Sequence, residues 1–264
     1  MDVKGKIIWI TGASAGIGAS LTKKLAAQGA WLILTARNGA LLESLQSACA
    51  TGTCKLLPAD LSNFNPQELT ATAIALFGHI DMIIHCAGVS QRSLAIETGM
   101  DVYRSLMEIN FFAPVAITRY LLPHFNTRPE SYIVAVGSMA GLMGFPKRTG
   151  YAAAKHALKG FFETLQVEHT IAGLHITLVQ PGRINTRISL SALTANGAPH
   201  GIMDQGQLNG IPVEKCTDKI LRAITANKKV VIIAKGERVL WWLWWYLPAA
   251  FYKIARKTGL ARQS

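Results

Sequence analysis

The sequence predicts an α/β fold, a doubly wound parallel sheet of seven strands with helices on both faces. Three observations predict it. Short, continuous apolar runs recur along the chain, as strands covered on both faces require. Stretches with helical periodicity lie between them, and strand–helix alternation implies right-handed crossovers and parallel strands. Half of the 264 residues are apolar and only 16% are charged, ample for a core and unlike a disordered chain.

In chain order, the strand over Lys6–Thr11 leads through a glycine turn to a helix over Gly16–Gln28. Strand Trp31–Thr35, helix Gly39–Ala48, strand Cys54–Leu57 and helix Pro66–Phe77 follow. The second half repeats the pattern: strand Asp81–His85, helix Asp101–Leu122, strand Ser131–Val136, helix Gly150–Ala172, strand Leu174–Val179, helix Val213–Ala226 and strand Val230–Ile233. No Pro/Gly/Ser-rich linker and no internal repeat divides the chain, so residues 1–237 read as a single domain. Within it, Ser189–Gly210 departs from the alternation. This stretch (about 187–211) is rich in Gly, Asn, Ser and Ala, with scattered Leu190, Leu193, Ile202, Met203 and Leu208. It is either a substrate lid or a disordered loop, and the apolar residues, which need a surface to cover, favour the lid.

Residues 238–264 form a basic, aromatic extension. The formal net charge is +12, from 27 Lys and Arg against 15 Asp and Glu. Eight of those cations, Lys228, Lys229, Lys235, Arg238, Lys253, Arg256, Lys257 and Arg262, follow Asn227, against one acid, Glu237. Trp241, Trp242, Trp244 and Trp245 sit among them. The uncharged run Val239–Tyr252 has fourteen residues and contains Pro248, too short to span a bilayer but able to lie in its interface. Aromatics bracketed by cations suit a lipid headgroup region. A subunit contact and a wrap over the substrate cleft are the competing readings of this tail. The four cysteines, Cys49, Cys54, Cys86 and Cys216, show neither a CxxC pair nor metal-ligand spacing and read as reduced thiols. The opening Met1–Gly5 has no secretory pattern. The expectation is a cytoplasmic protein, peripheral on a membrane surface if the tail docks there.

After the first strand comes Gly12-Ala-Ser14-Ala15-Gly16-Ile17-Gly18, then a helix. Strand, glycine turn and helix is the context in which backbone N–H groups meet a pyrophosphate at a helix N-terminus. The alternative is a tight turn that only packs the helix on the sheet. In such a nucleotide fold the end of the second strand meets the adenosine ribose. Here it reads Thr35-Ala36-Arg37-Asn38, with no acid to accept from a 2′-hydroxyl and an arginine fork suited to a 2′-phosphate. NADP(H) is therefore expected over NAD(H).

Tyr151 and Lys155 stand four apart on a predicted helix and share a face. A nearby ammonium favours phenolate and would bring the tyrosine toward neutrality, where it can exchange a proton with a carbonyl or alcohol oxygen. Ser138, after the fifth strand, could bond the same oxygen. The seven histidines share no ligand spacing, and no metal site is expected.

Gly12-xxx-Gly16-x-Gly18, Asn110, Ser138, Tyr151-xxx-Lys155 and Pro181-Gly182 together resemble the short-chain dehydrogenase/reductases, from about Val3 to Ala234. The resemblance implies a Rossmann-type fold and assigns Tyr151 as acid/base, Ser138 to orient the substrate oxygen and Lys155 to the nicotinamide ribose. Asn110 would hold a water in a proton relay. Pro181, Gly182, Ile184 and Thr186 would line the nicotinamide side. Asp60 and Leu61 would flank the adenine, and Ala87 and Gly88 would belong to the same cofactor site. One motif departs: Cys86-Ala87-Gly88 stands where the family has Asn-Ala-Gly, which should weaken a backbone-supporting bond without removing chemistry. The tail is similar to C-terminal extensions of membrane-associated reductases of the DHRS7 and 11-beta-hydroxysteroid dehydrogenase branch. Homodimers or homotetramers are implied. Leu142, Met143 and Phe145, with the lid, suggest a hydrophobic, lipid-like carbonyl or alcohol as substrate. A catalytically silent NADP-binding scaffold or sensor is the alternative. Nucleic-acid binding is disfavoured, because the charge gathers beside tryptophans without a recognisable module.

Overall fold

The computed structural model describes residues 2–168 and 170–260, the last four by backbone alone. His169, inside one predicted helix, and residues 261–264, including the basic Arg262, lie outside the described residues.

The strands are β1 (Ile7–Thr11), β2 (Trp31–Thr35), β3 (Cys54–Leu56), β4 (Met82–His85), β5 (Ser131–Val136), β6 (Leu174–Pro181), β7 (Ile184–Asn185), β8 (Ile211–Pro212) and β9 (Val230–Ile233). Seven of them make one parallel sheet in the order β3-β2-β1-β4-β5-β6-β9, and β7 and β8 pair separately. The chain runs outward from β1 to β3, then returns to the other side of β1 with β4. That reversal opens a crevice beyond the carboxyl ends of β1 and β4, where ligands bind in such sheets.

The helices are α1 (Gly16–Ala27), α2 (Gly39–Gln46), α3 (Pro66–Phe77), α4 (Met100–Met107), α5 (Ala113–Phe125), α6 (Thr149–Glu168), α7 (Gln205–Leu208), α8 (Val213–Thr225), α9 (Glu237–Tyr246) and α10 (Pro248–Leu260). Strand side chains alternate faces and so divide the core in two. Ile8, Ile10, Leu32, Leu34 and Ile84 pack with Leu21 and Leu25 of α1 and Ile220 of α8. Trp9, Ile33, Ile83 and Ile133 pack with Ile117, Leu121 and Phe125 of α5 and Leu158 and Phe162 of α6. Trp9 is fully buried, and its indole N–H is satisfied by Thr35 Oγ1 at 2.9 Å.

Three predicted stretches differ. The helix expected over Asp101–Leu122 is interrupted by a π-helical turn at Glu108–Phe112. Pro114 has no N–H to give the Asn110 carbonyl, so the regular ladder fails there and one residue is accommodated in a wider turn. The excursion after β7 is ordered rather than a disordered loop. Leu193 N–H donates to Ser90 O (2.8 Å), Arg92 N–H to Leu193 O (2.8 Å) and Gly99 N–H to Ala195 O (2.9 Å). Its apolar residues divide: Leu193 packs with Val89, Val102 and Leu106, whereas Ile202 and Leu208 stay exposed.

The tail breaks at Leu247-Pro248 into α9 and α10, since the residue before a proline is pushed out of helical geometry. Phe251 and Ala255 are buried against Met139, Leu142 and Met143, with Leu240, Trp241, Leu243 and Trp244 partly buried around them. The tail thus packs on the loop after β5, and none of its described residues from Arg238 onward lines the main cavity. Val239, Trp242, Trp245, Tyr246 and Tyr252 remain exposed on the outer side. No helix among the described residues is long and apolar enough to cross a membrane.

Candidate active site

A cavity of about 570 Å³ fills the crevice. Gly12, Ser14, Ala15, Gly16 and Ile17 line it, with Arg37, Asp60 and Leu61 after β2 and β3 and Ala87 and Gly88 after β4. Pro181, Gly182, Ile184 and Thr186 line it after β6, and so do Ser138, Tyr151 and Lys155. Two expected residues stand behind its wall: Gly18 and Asn110.

The glycines have different jobs. A Cβ on Gly12 would lie 2.6 Å from the Ala87 backbone, and one on Gly18 would lie 2.2 Å from the Gly12 carbonyl oxygen. Both are required by close backbone packing, the turn reading of this motif. Gly16, at a left-handed φ of 52°, faces the cavity beside Thr186. The ends of α2 and α3 are capped by Asn38 and Asn65, but the N-terminus of α1 has no side-chain cap and no acid in its first turn. Uncapped N–H groups with the positive end of a helix dipole, opening on a cavity, fit a pyrophosphate. Arg37 is exposed at the rim. Asp60 is held below the usual carboxylate range by the Ser62 backbone N–H (3.0 Å), then by the Ser62 hydroxyl (2.7 Å) and the charge of Arg37.

Ser138 lies two residues beyond β5 with its N–H on Gln180 Oε1 (2.9 Å), and its Oγ accepts from Ala140 N–H (3.1 Å). Its side chain is near enough to Tyr151 to pull against the rise of the phenol's pKa. Tyr151 and Lys155 are both buried on α6, with the Lys155 Nζ 5.9 Å from the phenol ring centre. Lys155 donates to the Val136 carbonyl at 3.0 Å. Burial draws the Lys155 pKa down to about 8. The expected lowering of Tyr151 by Lys155 is not what dominates. Burial raises the tyrosine above its ordinary 10, and the opposing influences are the Ser138 side chain and the charges of Arg148 and Arg92.

Asn110, on the π-helical turn, donates through Nδ2 to Leu106 O (2.9 Å) and Val89 O (3.0 Å). Its Oδ1 is buried without a protein partner. A Cβ on Gly88 would come within 2.8 Å of that oxygen and 3.4 Å of Lys155 Nζ. The missing side chain at Gly88 therefore lets this backbone pass close to the buried ammonium and to Asn110 Oδ1, an orphan acceptor of the kind that an ordered water satisfies. Cys86 lines the cavity, and burial pushes its thiol up to about 12. The Thr11 hydroxyl reaches the Cys86 and Ala87 N–H groups at 3.3 and 3.4 Å, so β1 supports this backbone.

The substrate end is apolar through Val89, Ile109, Phe145, Ile188 and Leu190. Leu142 and Met143, expected here, belong instead to the contact with α10. Ile202 and Met203 do not line the cavity, and Leu193 packs beneath it. Two functional neighbours had no sequence signal. Gln91 is fully buried and its Oε1 accepts from the first N–H groups of α6, Gly150 (2.8 Å) and Tyr151 (3.2 Å). Arg148 lines the cavity just before α6. Gln180, a polar residue closing an apolar strand, was the one supporting group that such a pattern could have exposed.

The pattern of the short chain dehydrogenase family matches residues 6–196. Dehydrogenase/reductase SDR family member 7B of Bos taurus is 35% identical over 241 residues, covering 88% of this chain and 74% of the relative. Dehydrogenase/reductase SDR family member 7 of Homo sapiens is 35% identical over 271 residues, covering 99% of this chain and 80% of the relative. A short-chain dehydrogenase structure from Streptomyces avermitilis superposes with a TM-score of 0.80 at 24% identity, covering 98% of each chain. The shared pattern and the serine, tyrosine and lysine gathered at one cavity lead to one conclusion: the chain belongs to the short-chain dehydrogenase/reductase family of oxidoreductases, which use a nicotinamide cofactor, on the branch of members 7 and 7B.

Proposed function

We propose that this protein is an NADP(H)-dependent oxidoreductase that interconverts a carbonyl and an alcohol on an apolar, lipid-like substrate. The observation that carries the reading is the buried Tyr151, which lines the same cavity as Ser138 and stands on α6 one turn from Lys155. When bound, the nicotinamide cofactor supplies or takes the hydride. The protein's own groups handle the oxygen. In reduction, Ser138 would hold the carbonyl oxygen and Tyr151 would give it the proton that completes the alcohol. A raised pKa keeps the phenol protonated at neutral pH, the form needed to donate. Lys155 fits the nicotinamide ribose, and the unpartnered Asn110 Oδ1 fits a water that returns the proton.

The uncapped α1 terminus fits the pyrophosphate and Arg37 fits a 2′-phosphate. The apolar walls favour lipid-like substrates. The exposed aromatic side of α9–α10, bracketed by Arg238, Lys253 and Arg256, favours peripheral contact with an anionic membrane. The test follows cofactor oxidation across long-chain and polar carbonyls. NADPH should exceed NADH in kcat/KM by about tenfold or more, Arg37→Ala should erase that margin, and long-chain carbonyls should be the better substrates. A preference for NADH or for polar carbonyls would overturn this reading.

A further inference from the structure

At the end of the cavity that holds Tyr151, cations outnumber anions. Arg148 stands three residues before Tyr151, immediately ahead of α6, and its carbonyl accepts from Ala152 N–H at 2.8 Å. Its side chain lines the cavity and keeps 25% of its exposure. It donates through Nη1 to Ser90 Oγ at 3.1 Å, an oxygen that also receives Arg92 Nη1 at 2.9 Å. Asp204 is the carboxylate that meets both guanidinium groups among the described residues. It is committed to Arg92, which holds it through Nε (2.9 Å) and a second nitrogen. Arg148 is left with a looser approach of 3.6 Å to the same oxygen, and His200 approaches the other at 3.9 Å. Arg92 is nearly buried, with 8% side-chain exposure, so the uncompensated charge is presented to the cavity by Arg148.

A cation short of a partner in an apolar, enclosed space costs free energy unless an anion joins it. Burial and Arg92 pull Arg148 down to about 10, the direction expected of that shortage, yet it stays charged at neutral pH. A planar fork with free donors is matched by a carboxylate or a phosphate oxygen pair. The cavity walls add the hydrocarbon of Val89, Ile109, Phe145, Ile188 and Leu190, with Ser90, Ser191, Gln207 and a further cation, Arg183, among them.

We propose that Arg148 anchors an anionic headgroup, a carboxylate or a phosphate, on an otherwise apolar substrate, a few bonds from the carbonyl on which Tyr151 acts. This deepens the functional reading above and rests on it for the position of the reacting carbonyl. It makes Arg148 the specificity-determining residue, and Arg92, which occupies Asp204, a positioning residue.

The test measures binding to protein saturated with NADP+, where a ketone cannot turn over, by isothermal titration calorimetry. The probes are 4-oxododecanoate, its primary amide, and the same ketone chain carrying a phosphate monoester. The acid, or the phosphate if that is the natural group, should bind at least about tenfold tighter than the amide. Arg148→Gln should bring the charged probes to the level of the amide while leaving the amide within about threefold. Arg148→Lys should keep a reduced preference, because charge remains and the fork is lost. Equal, weaker or absent binding of both charged probes, or a preference that survives Arg148→Gln, would overturn the proposal. Equal losses for charged and neutral probes would assign Arg148 a packing role and overturn it too. The outcome does not depend on proton transfer, whose failure would appear separately as activity retained by Tyr151→Phe.

Discussion

Lys155 keeps its ammonium inside the protein, and burial draws its pKa from an ordinary 10.5 to about 8. Below about 8 both folded and unfolded chains hold the proton, and the cost of burying the charge is present in full. Between about 8 and 10.5 the unfolded chain binds more protons, so stability rises with pH; above 10.5 the cost is gone. Lys155→Met lacks this dependence. The unfolding free energy of the wild type minus that of the variant, from urea titrations, should rise across this window, and a flat difference would mean that Lys155 titrates normally. The pairing of Tyr151 with Lys155 was legible because helical spacing is local. The direction of the Tyr151 shift was not, because burial by the cavity walls is tertiary. Arg148 was equally hidden: a cation before a helix reads as solvated, and Asp204 reaches it from the excursion after β7.

The start of α6 is set by another element. Gln91, in the loop after β4, accepts from Gly150 and Tyr151 and donates through Nε2 to Ser93, Thr98 and Thr149. Gln91→Leu would strand two helix N–H groups at about 1–3 kcal/mol each. Thermal unfolding should drop accordingly, and kcat should fall more than KM rises, because the Tyr151 backbone loses its support. A variant with wild-type melting and turnover would show that the cap is dispensable. The sheet strands were legible because continuous apolar runs are a local signal, and β1, β2 and β4 lie within a residue of the expected bounds. The break between α4 and α5 was not, since Pro114 sits inside an unbroken helical periodicity. That break is what turns Asn110 toward Val89 and Leu106, with its orphan oxygen beside Gly88.

Across the whole molecule, α9 and α10 lie on the loop that follows Ser138, and their outer side carries Trp242, Trp245, Tyr246 and Tyr252. Composition made this tail conspicuous but could not divide inward from outward aromatics, since the segment is apolar nearly all round. Membrane contact predicts cosedimentation with anionic vesicles that weakens with salt, at about 1 kcal/mol per engaged Lys or Arg. Trp242→Ser with Trp245→Ser should reduce it about tenfold or more with melting unchanged. Stronger binding to duplex DNA than to vesicles would contradict it. The fold joins three things in one crevice: the uncapped N-terminus of α1, the wall of Pro181, Gly182, Ile184 and Thr186 after β6, and the Tyr151 phenol of α6 with Ser138 from beyond β5. The most direct test of that union is Tyr151→Phe, assayed with deuterium at the transferable position of NADPH and a long-chain ketone. The wild type should place deuterium on the product carbon, and the variant should lose about 100-fold or more in kcat while binding NADPH within about threefold. Undiminished turnover by the variant, or product without deuterium, would contradict the account.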